Sequence, residues 1–171
     1  METKNLILRR MTYDDIDDLF EMRSDPRMHE YTDTYPDEDT TETKNYIDAM
    51  NKGIDENKWI IWAIEHKGSS KVIGTISIWN INEDKTRGEL GYGIIPDYQG
   101  QGLMKESLLS VIDYGFNVMK LKELDSYTEE NNIRSINLLK NLNFKEVDRV
   151  VEEANYDDHV YNMIVYRTCS E

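Results

Sequence analysis

Two glycines stand between an apolar, strand-like run and a long amphipathic segment. The run ends at Pro96, the glycines are Gly100 and Gly102, and a helical pattern begins at about Gln101. The first N–H groups of a helix lack intrahelical partners and lie at the positive end of the helix dipole. Glycine also lets an anion approach the backbone closely. The sequence therefore predicts a phosphate site made of backbone N–H groups at this junction.

The spacing of these glycines matches neither of two common nucleotide fingerprints. A dinucleotide-binding G-x-G-x-x-G would need a glycine where Lys105 stands, and the Gly-Lys-Ser/Thr that ends a P-loop is missing. Lys105 lies one turn into the predicted helix, where it adds positive charge. On spacing alone, a turn that only joins a strand to a helix is an equal alternative.

The elements that would position this turn follow from the apolar periodicity. The sequence predicts strands at residues 5–10, 59–65, 71–79, 88–95, 123–128, 144–151 and 159–166, and helices after Thr12, from about Asp39, at 101–119 and at 133–142. This order, β-α-α-β-β-β-α-β-α-β-β, predicts an α/β fold with one mixed sheet of about seven strands and about four helices. The residues of the third helix that are predicted to face the core are Met104, Leu108, Leu109, Ile112 and Phe116.

Composition and charge exclude several classes of protein. The 171 residues, 39% hydrophobic and 32% charged, are typical of one soluble domain over 1–171. A net charge of −14 disfavours nucleic-acid binding. Cys169 is the only cysteine, which excludes an internal disulfide and a multi-cysteine metal site, and no metal is expected. No apolar run approaches the roughly 20 residues of a membrane helix, and the first residues lack a signal-peptide pattern, so we expect no membrane contact and a cytoplasmic location.

Three segments carry a resemblance to a known family. Residues 99–104, QGQGLM, resemble the Q/R-x-x-G-x-G/A signature of the GNAT superfamily of N-acetyltransferases. Residues 89–92, ELGY, resemble the E-I-G-Y strand of the branch that includes the ribosomal-protein N-terminal acetyltransferases. Residues 132–144 resemble that branch's N-x-x-S … L-x-K-L-G-F pattern, with Asn143 in place of the glycine. The segments occur in the family's order along nearly the whole chain.

The resemblance implies a single GNAT-type domain that moves an acetyl group from acetyl-CoA to a primary amine by direct attack in a ternary complex. In this family the loop binds the pyrophosphate of acetyl-CoA, and main-chain groups of the preceding strand bind the pantetheine arm and the reacting carbonyl oxygen. Met104 replaces the usual Gly or Ala and is expected to add bulk toward the pantetheine arm. Asn132 is expected to bind the pantetheine amide, with helix capping as the alternative. Carried over, the loop and strand roles fall on Ile94, Ile95, Gln99, Gly100, Gln101, Gly102, Leu103 and Met104.

Acetyl transfer needs a group that accepts the amine proton and a group that stabilises or protonates the leaving thiolate. Glu89, on the strand that the resemblance places beside the acceptor, is the candidate base, and burial there would raise its carboxyl pKa. The alternatives for Glu89 are an ion pair with Lys or Arg, or simple solvation. Many relatives use a tyrosine as the acid where this chain has Leu139. The branch resemblance assigns that role to Ser135, and a serine that only caps the backbone is the alternative.

The acceptor side is less defined by the sequence. By family position, Tyr31 is expected to line the acceptor pocket. Residues 13–56 hold 15 acids and 4 bases, a net charge of −11, which either attracts cationic amines or is a set of solvated acids that suit helix starts. The last hairpin is either a wall of the pocket or a polar tip, and its polar residues are Tyr156, Asp157, Asp158, His159 and Tyr161.

Two functions from different classes follow. The first is an acetyl-CoA-dependent N-acetyltransferase whose acceptor is a protein N-terminal amine, as the branch resemblance implies, or a small cationic amine such as a polyamine or an aminoglycoside, as the charge suggests. A homodimer is also expected, since dimers are common in the family. The second is a non-catalytic acyl-CoA-binding or regulatory module, which the missing tyrosine at Leu139 would favour.

Overall fold

The strands and helices of the computed structural model, which describes residues 1–155 and 157–170, follow the predicted order. The strands are β1 (Leu6–Arg9), β2 (Ile60–His66), β3 (Lys71–Trp79), β4 (Arg87–Ile94), β5 (Glu123–Glu129), β6 (Lys145–Glu153) and β7 (Val160–Cys169). The α-helices are α1 (Ile16–Ser24), α2 (Thr40–Asp55), α3 (Leu103–Asp113) and α4 (Ile133–Asn141). All seven strands form one mixed sheet in the order β1-β2-β3-β4-β5-β7-β6, so the predicted α/β fold is confirmed.

The centre of the sheet opens between β4 and β5. These strands form the one parallel pair among the described strands, and they pair only from Arg87 with Glu123 to Glu89 with Asp125. Beyond Glu89, β4 stays paired with β3, whereas β5 stays paired with β7. The two strands therefore diverge and leave a gap between residues 90–94 of β4 and 126–129 of β5, which we call the β4–β5 gap.

The two faces of the sheet are covered by different helices. Side chains alternate between the faces of a strand, so Leu90, Tyr92 and Ile94 share one face of β4 and Glu89 lies on the other. The Tyr92 hydroxyl contacts α4, which places α4 on the Leu90 face. On the Glu89 face, a side chain at Gly93 would meet Met28, which follows α1.

Helix α3 differs from its prediction in length and in one core position. It ends at Asp113, and a π-helical turn, Tyr114–Val118, replaces its predicted last residues. Met104 and Leu108 lie in the core as predicted, but Leu109 is 54% exposed, so its predicted place in the core is wrong. The face of a helix that packs against the core is narrower than the set of apolar residues in α3, and Leu109 lies just outside that face.

No helix within the described ranges has the length and apolar character needed to cross a membrane.

Candidate active site

The glycines of the turn adopt the conformation that requires glycine. Gly100 has φ +75° and Gly102 has φ +79°, in the left-handed region that side chains disfavour. Gly102 is also the N-cap residue of α3, and its N-cap position lacks a side-chain hydrogen bond. A Cβ atom built at either glycine would have no heavy atom within 4 Å, so both residues border open space. The turn is an open concave surface of backbone.

The N–H groups of this turn are available to a ligand. Glu106 N donates to Gly102 O at 3.0 Å, which is the first backbone hydrogen bond of α3. Within 1–155 and 157–170, none of the backbone N–H groups of residues 100–105 donates a hydrogen bond. Unpaired N–H groups at the positive end of a helix dipole are suited to phosphate oxygens. The residues present therefore fit a pyrophosphate.

Two glutamine side chains hold the shape of the turn. Gln99 Nε2 donates to Ile94 O at 3.0 Å, and Gln101 Nε2 donates to Asp97 O at 3.0 Å. The other end of the Gln99 amide accepts a hydrogen bond from the Arg134 guanidinium, in the first turn of α4. Sequence reasoning missed Arg134 as a site residue. A signal was present, because a cation in the first turn of a helix opposes the helix dipole and α4 has no acid there.

The side chains of Leu103 and Met104 lie in the protein interior. Leu103 is 5% exposed and Met104 is 8% exposed, and both belong to the hydrophobic core. The expectation that Met104 adds bulk toward the pantetheine arm is therefore wrong, since its side chain packs against the core. These two residues offer only their backbone N–H groups to the turn.

Of the two main-chain positions that the sequence predicted at the end of β4, Ile94 has an N–H group that faces the gap and Ile95 does not. Ile95 N donates to Ile73 O at 2.9 Å, so the predicted binding role of the Ile95 N–H is wrong. Along an antiparallel pair, hydrogen-bonded and non-hydrogen-bonded residues alternate. Because Ile95 is bonded to β3, Tyr92 and Ile94 direct their N–H groups away from β3 and into the β4–β5 gap. The Tyr92 N–H was missed because it depends on the pairing register.

Glu89 lies at the last paired position before the gap opens. Burial is the largest cause that raises the pKa of its carboxyl group, and the like charges of Glu152 and Asp125 raise it further. Asn80 Nδ2 donates to Glu89 Oε2 at 3.2 Å, which opposes the shift. Among the described residues, no Lys or Arg forms an ion pair with Glu89. A half-buried carboxylate without a cationic partner is suited to accept a proton.

A polar cavity of about 340 Å³ adjoins Glu89 on this face of the sheet. Its wall includes an ion pair in which Arg167 donates to both carboxylate oxygens of Asp125, at 2.6 and 2.8 Å. This ion pair raises the pKa of Arg167, so the guanidinium stays charged. Arg87 lies 3.9 Å from the same carboxylate. Asp125 is therefore held in ion pairs, whereas the Glu89 carboxylate of the same wall has none in the described residues.

On the opposite face, Ser135 and Tyr92 meet across the gap. Ser135 Oγ lies 2.8 Å from Tyr92 Oη. Asn132 Oδ1 accepts a hydrogen bond from Ser135 N at 3.2 Å, so Asn132 caps α4 and keeps its Nδ2 group as a donor. Leu139 is fully buried and contributes no proton. Sequence reasoning found Ser135 and Asn132 but missed the Tyr92 side chain. Tyr92 is 43 residues before Ser135 in the sequence, so only the fold shows that they meet.

The segment after α1 reaches the last hairpin. Asp33 Oδ2 accepts a hydrogen bond from Asn155 N at 2.9 Å, and Tyr161 Oη donates to Thr32 O at 3.2 Å. Tyr31 lies in this segment, and a hydrogen bond with Glu30 is the largest cause that raises its phenol pKa. These contacts join the two predicted walls of the acceptor side. Tyr156 lies outside the described residues.

Most acids of residues 13–56 already have partners within the fold. Asp15 pairs with Arg9 at 2.7 Å, and Asp37 pairs with Arg23 at 2.8 Å. Structural contacts therefore account for most of this negative charge. The other acids of the segment that form ion pairs or accept backbone hydrogen bonds are Asp18, Glu21, Asp25, Asp33, Asp39, Glu42, Asp48, Asp55 and Glu56.

Comparison with known proteins identifies the fold and the turn together. The family model described as an acetyltransferase (GNAT) domain matches residues 5–145, which include the glycine turn and both sides of the gap. The chain belongs to the GNAT acetyltransferase family. Its relatives include an uncharacterized N-acetyltransferase, p20, of Bacillus licheniformis, which is 31% identical over 144 residues that cover 84% of this chain and 81% of p20.

Two solved structures share the fold of this acetyltransferase. A spermidine N-acetyltransferase from Vibrio cholerae, in complex with CoA and spermine, superposes with a TM-score of 0.83 at 20% identity, over 98% of this chain and 96% of that one. A ribosomal-protein-S5-alanine acetyltransferase from Vibrio fischeri superposes with a TM-score of 0.84 at 19% identity, over 99% and 95%. The GNAT family uses acetyl-CoA, and the chain is an N-acetyltransferase enzyme of that family.

Proposed function

We propose that this acetyltransferase moves the acetyl group of acetyl-CoA to a primary amine of a small cationic molecule, by direct attack in a ternary complex with Glu89 as the general base. The observation that carries the proposal is the position of Glu89. Its carboxyl group, with a raised pKa, lies where β4 and β5 begin to diverge, next to a polar cavity, and forms no ion pair with Lys or Arg in the described chain.

The residues that would hold acetyl-CoA lie on the other side of the gap. The N–H groups of residues 100–105 and the Arg134 guanidinium would bind the pyrophosphate. The N–H groups of Tyr92 and Ile94 point into the gap, where one would pair with the pantetheine arm and the other would stabilise negative charge on the reacting carbonyl oxygen. Asn132 Nδ2 would donate to the arm. Acetyl-CoA supplies the thioester carbon that the amine attacks.

Glu89 would remove the proton that keeps the amine from attacking. An ammonium group has no lone pair, so a base must accept its proton before the nitrogen can form a bond. A carboxyl group with a raised pKa is a stronger base than an ordinary glutamate and is still ionised at neutral pH when the shift is moderate. The transfer can occur directly or through one water molecule within the cavity.

The charge of the cavity favours a cationic acceptor. Its surroundings hold the carboxylates of Glu89, Asp125, Asp148 and Glu152 against two guanidinium groups, both of which face Asp125. An excess of carboxylates raises the local concentration of cations. The spermidine acetyltransferase with the same fold acts on an acceptor of this kind. A protein N-terminal amine is the second candidate, because the acetyltransferase of ribosomal protein S5 shares the fold equally well.

The test is thiol release from acetyl-CoA with a panel of spermidine, an aminoglycoside and short peptides with free N-termini. We expect turnover with the small cations and a loss of about 100-fold in the Glu89→Gln variant. Turnover with peptides alone would replace the proposed acceptor by a protein N-terminus. Acetyl-CoA binding without turnover, across a panel widened to other amines, would favour the non-catalytic module.

A further inference from the structure

The side chain of Tyr92 spans the β4–β5 gap. Its backbone belongs to β4, at a position where β4 no longer pairs with β5. Its hydroxyl lies 2.8 Å from Ser135 Oγ in the first turn of α4, and it also interacts with the hydroxyl of Ser126 on β5. The phenol ring therefore crosses the gap, and its hydroxyl group lies between the two serine hydroxyl groups.

The position of this phenol relative to Glu89 has a chemical consequence. Tyr92 and Glu89 are three residues apart on one strand, so their side chains lie on opposite faces of the sheet. The amine adds above the plane of the thioester, whereas the sulfur lies in that plane, so a base on the Glu89 face leaves a separate proton donor on the Tyr92 face able to serve the sulfur. Ser126, Ser135 and Tyr92 are the hydroxyl side chains that meet there in the described chain.

We propose that Tyr92 is the proton donor to the sulfur that leaves, and that Ser135 supports it as a hydrogen-bond donor. This inference rests on the proposed function. The amine nitrogen forms a bond to the carbonyl carbon, the C–S bond breaks, and its electron pair goes to sulfur. The proton moves from Tyr92 Oη to that sulfur, and Ser135 and Ser126 donate hydrogen bonds to the phenolate. Solvent returns a proton to Tyr92 after the thiol leaves, and Glu89 releases the amine proton.

Acidity separates Tyr92 from the serines. A phenol with a pKa near 10 is about 1.5 units less acidic than an ordinary thiol, whereas an aliphatic hydroxyl group is far less acidic, close to water. Burial raises the pKa of Tyr92, so the phenol stays protonated at neutral pH. A serine could donate a hydrogen bond to the thiolate, but it would not readily release its proton. The acid role predicted for Ser135 is therefore better filled by Tyr92.

The first test measures binding without turnover. CoA and desulfo-CoA, which lacks the thiol, are titrated into the wild-type protein and into Tyr92→Phe by calorimetry. We expect the wild-type protein to prefer CoA by about two- to tenfold, the size of one hydrogen bond, and Tyr92→Phe to lose this preference. Tyr13→Phe is the matched control, since Tyr13 is an exposed tyrosine in the 3-10 turn that precedes α1.

The second test compares two variants in turnover with the best acceptor. We expect Tyr92→Phe to lower kcat about 100-fold with little change in the KM of acetyl-CoA, and Ser135→Ala to lower kcat less. An unchanged CoA preference in Tyr92→Phe, or a larger loss in Ser135→Ala, would overturn the assignment and leave the acetyltransferase function intact. Failure of the wild-type protein to bind CoA would instead overturn the proposed function, and this inference with it.

Discussion

The acetyl-CoA side and the acceptor side of this enzyme are built by different means. The proposed acetyl-CoA side consists mainly of backbone N–H groups from one continuous stretch, residues 92–105, with Arg134 added from α4. The proposed acceptor side consists of side chains from β4, β5, β6 and the segment after α1. A backbone site needs only a local conformation, whereas a side-chain site depends on which distant residues the fold brings together.

The comparison also explains how each side tolerates substitution. Met104 departs from the family signature, yet its side chain lies in the core and its N–H group remains part of the turn. On the acceptor side, the basicity of Glu89 depends on the burial of its carboxyl group, on Asn80 and on the charges of Asp125 and Glu152. We therefore expect a change at any of these residues to alter the basicity of Glu89. The predictions below test this difference, from the largest expected effect to the smallest.

The Gly102→Glu substitution tests the backbone site. We expect it to weaken acetyl-CoA binding by at least about 100-fold, or roughly 2.7 kcal/mol, because the new carboxylate would occupy the open space of the turn and repel the pyrophosphate. Gly102→Ala is the control. It carries the same strain of about 1–2 kcal/mol from the left-handed conformation but no charge. Calorimetry measures the affinity, and urea unfolding measures the strain.

If Gly102→Ala weakens binding as much as Gly102→Glu does, the glycine serves the conformation of the turn and the open space is not the phosphate site. Equal binding by the wild-type protein and both variants would move the acetyl-CoA site elsewhere.

The Glu89→Gln substitution tests the side-chain site. We expect kcat/KM at neutral pH to fall about 100-fold while acetyl-CoA affinity stays the same, because the amide cannot accept the amine proton. The raised pKa of Glu89 also fixes the pH dependence. Activity of the wild-type enzyme should fall as the pH decreases through this pKa, at a higher pH than the ordinary glutamate value of about 4.3, and the variant should lack this limb.

The control for this prediction is Glu83→Gln, which removes the same charge from an exposed position. A Glu89→Gln enzyme that retains most of its kcat/KM, or that keeps the acidic limb, would assign the base role to another group.

The Arg134→Gln substitution asks whether one side chain contributes to the backbone site. We expect a loss of roughly tenfold in acetyl-CoA affinity, since the guanidinium at the turn would form a charge-assisted hydrogen bond with the pyrophosphate. The loss should shrink at high salt. Lys140→Gln, in the last turn of the same helix, is the control. Equal effects of the two substitutions would indicate general attraction by positive charge and no specific contact.

The same difference between the two sides explains what the sequence could predict. The turn could be located because proline, two glycines and an apolar period are adjacent in the chain, and helix and strand periodicities predicted the order of all seven strands. The register of β3 with β4 could not be predicted, so the sequence assigned main-chain roles to Ile94 and Ile95, whereas the structure leaves the N–H groups of Tyr92 and Ile94 free.

Long-range contacts were the other limit. Glu89 could be proposed from its motif, but nothing in the sequence shows that Asn80 would bind it or that Glu152, on the far strand β6, would lie close enough to affect its pKa. The excess of acid in residues 13–56 was visible, but its partners were not. The role of that charge depends on ion pairs such as Asp37 with Arg23, which only the folded chain reveals.

The Glu152→Gln substitution gives the smallest expected effect and the sharpest test of long-range tuning. Glu152 lies on β6, and its negative charge disfavours the ionised form of Glu89, which raises the Glu89 pKa. Its removal should lower that pKa and move the acidic limb of kcat/KM to lower pH, by less than about one unit, because exposed charges are screened.

Glu153→Gln is a matched control, since it removes the same charge from the next residue, on the opposite face of the strand. The limb should move in the first variant alone, and the shift should diminish as salt is added. Equal shifts in both variants would mean that net charge tunes Glu89, whereas no shift in either would mean that Glu152 does not contribute to its pKa.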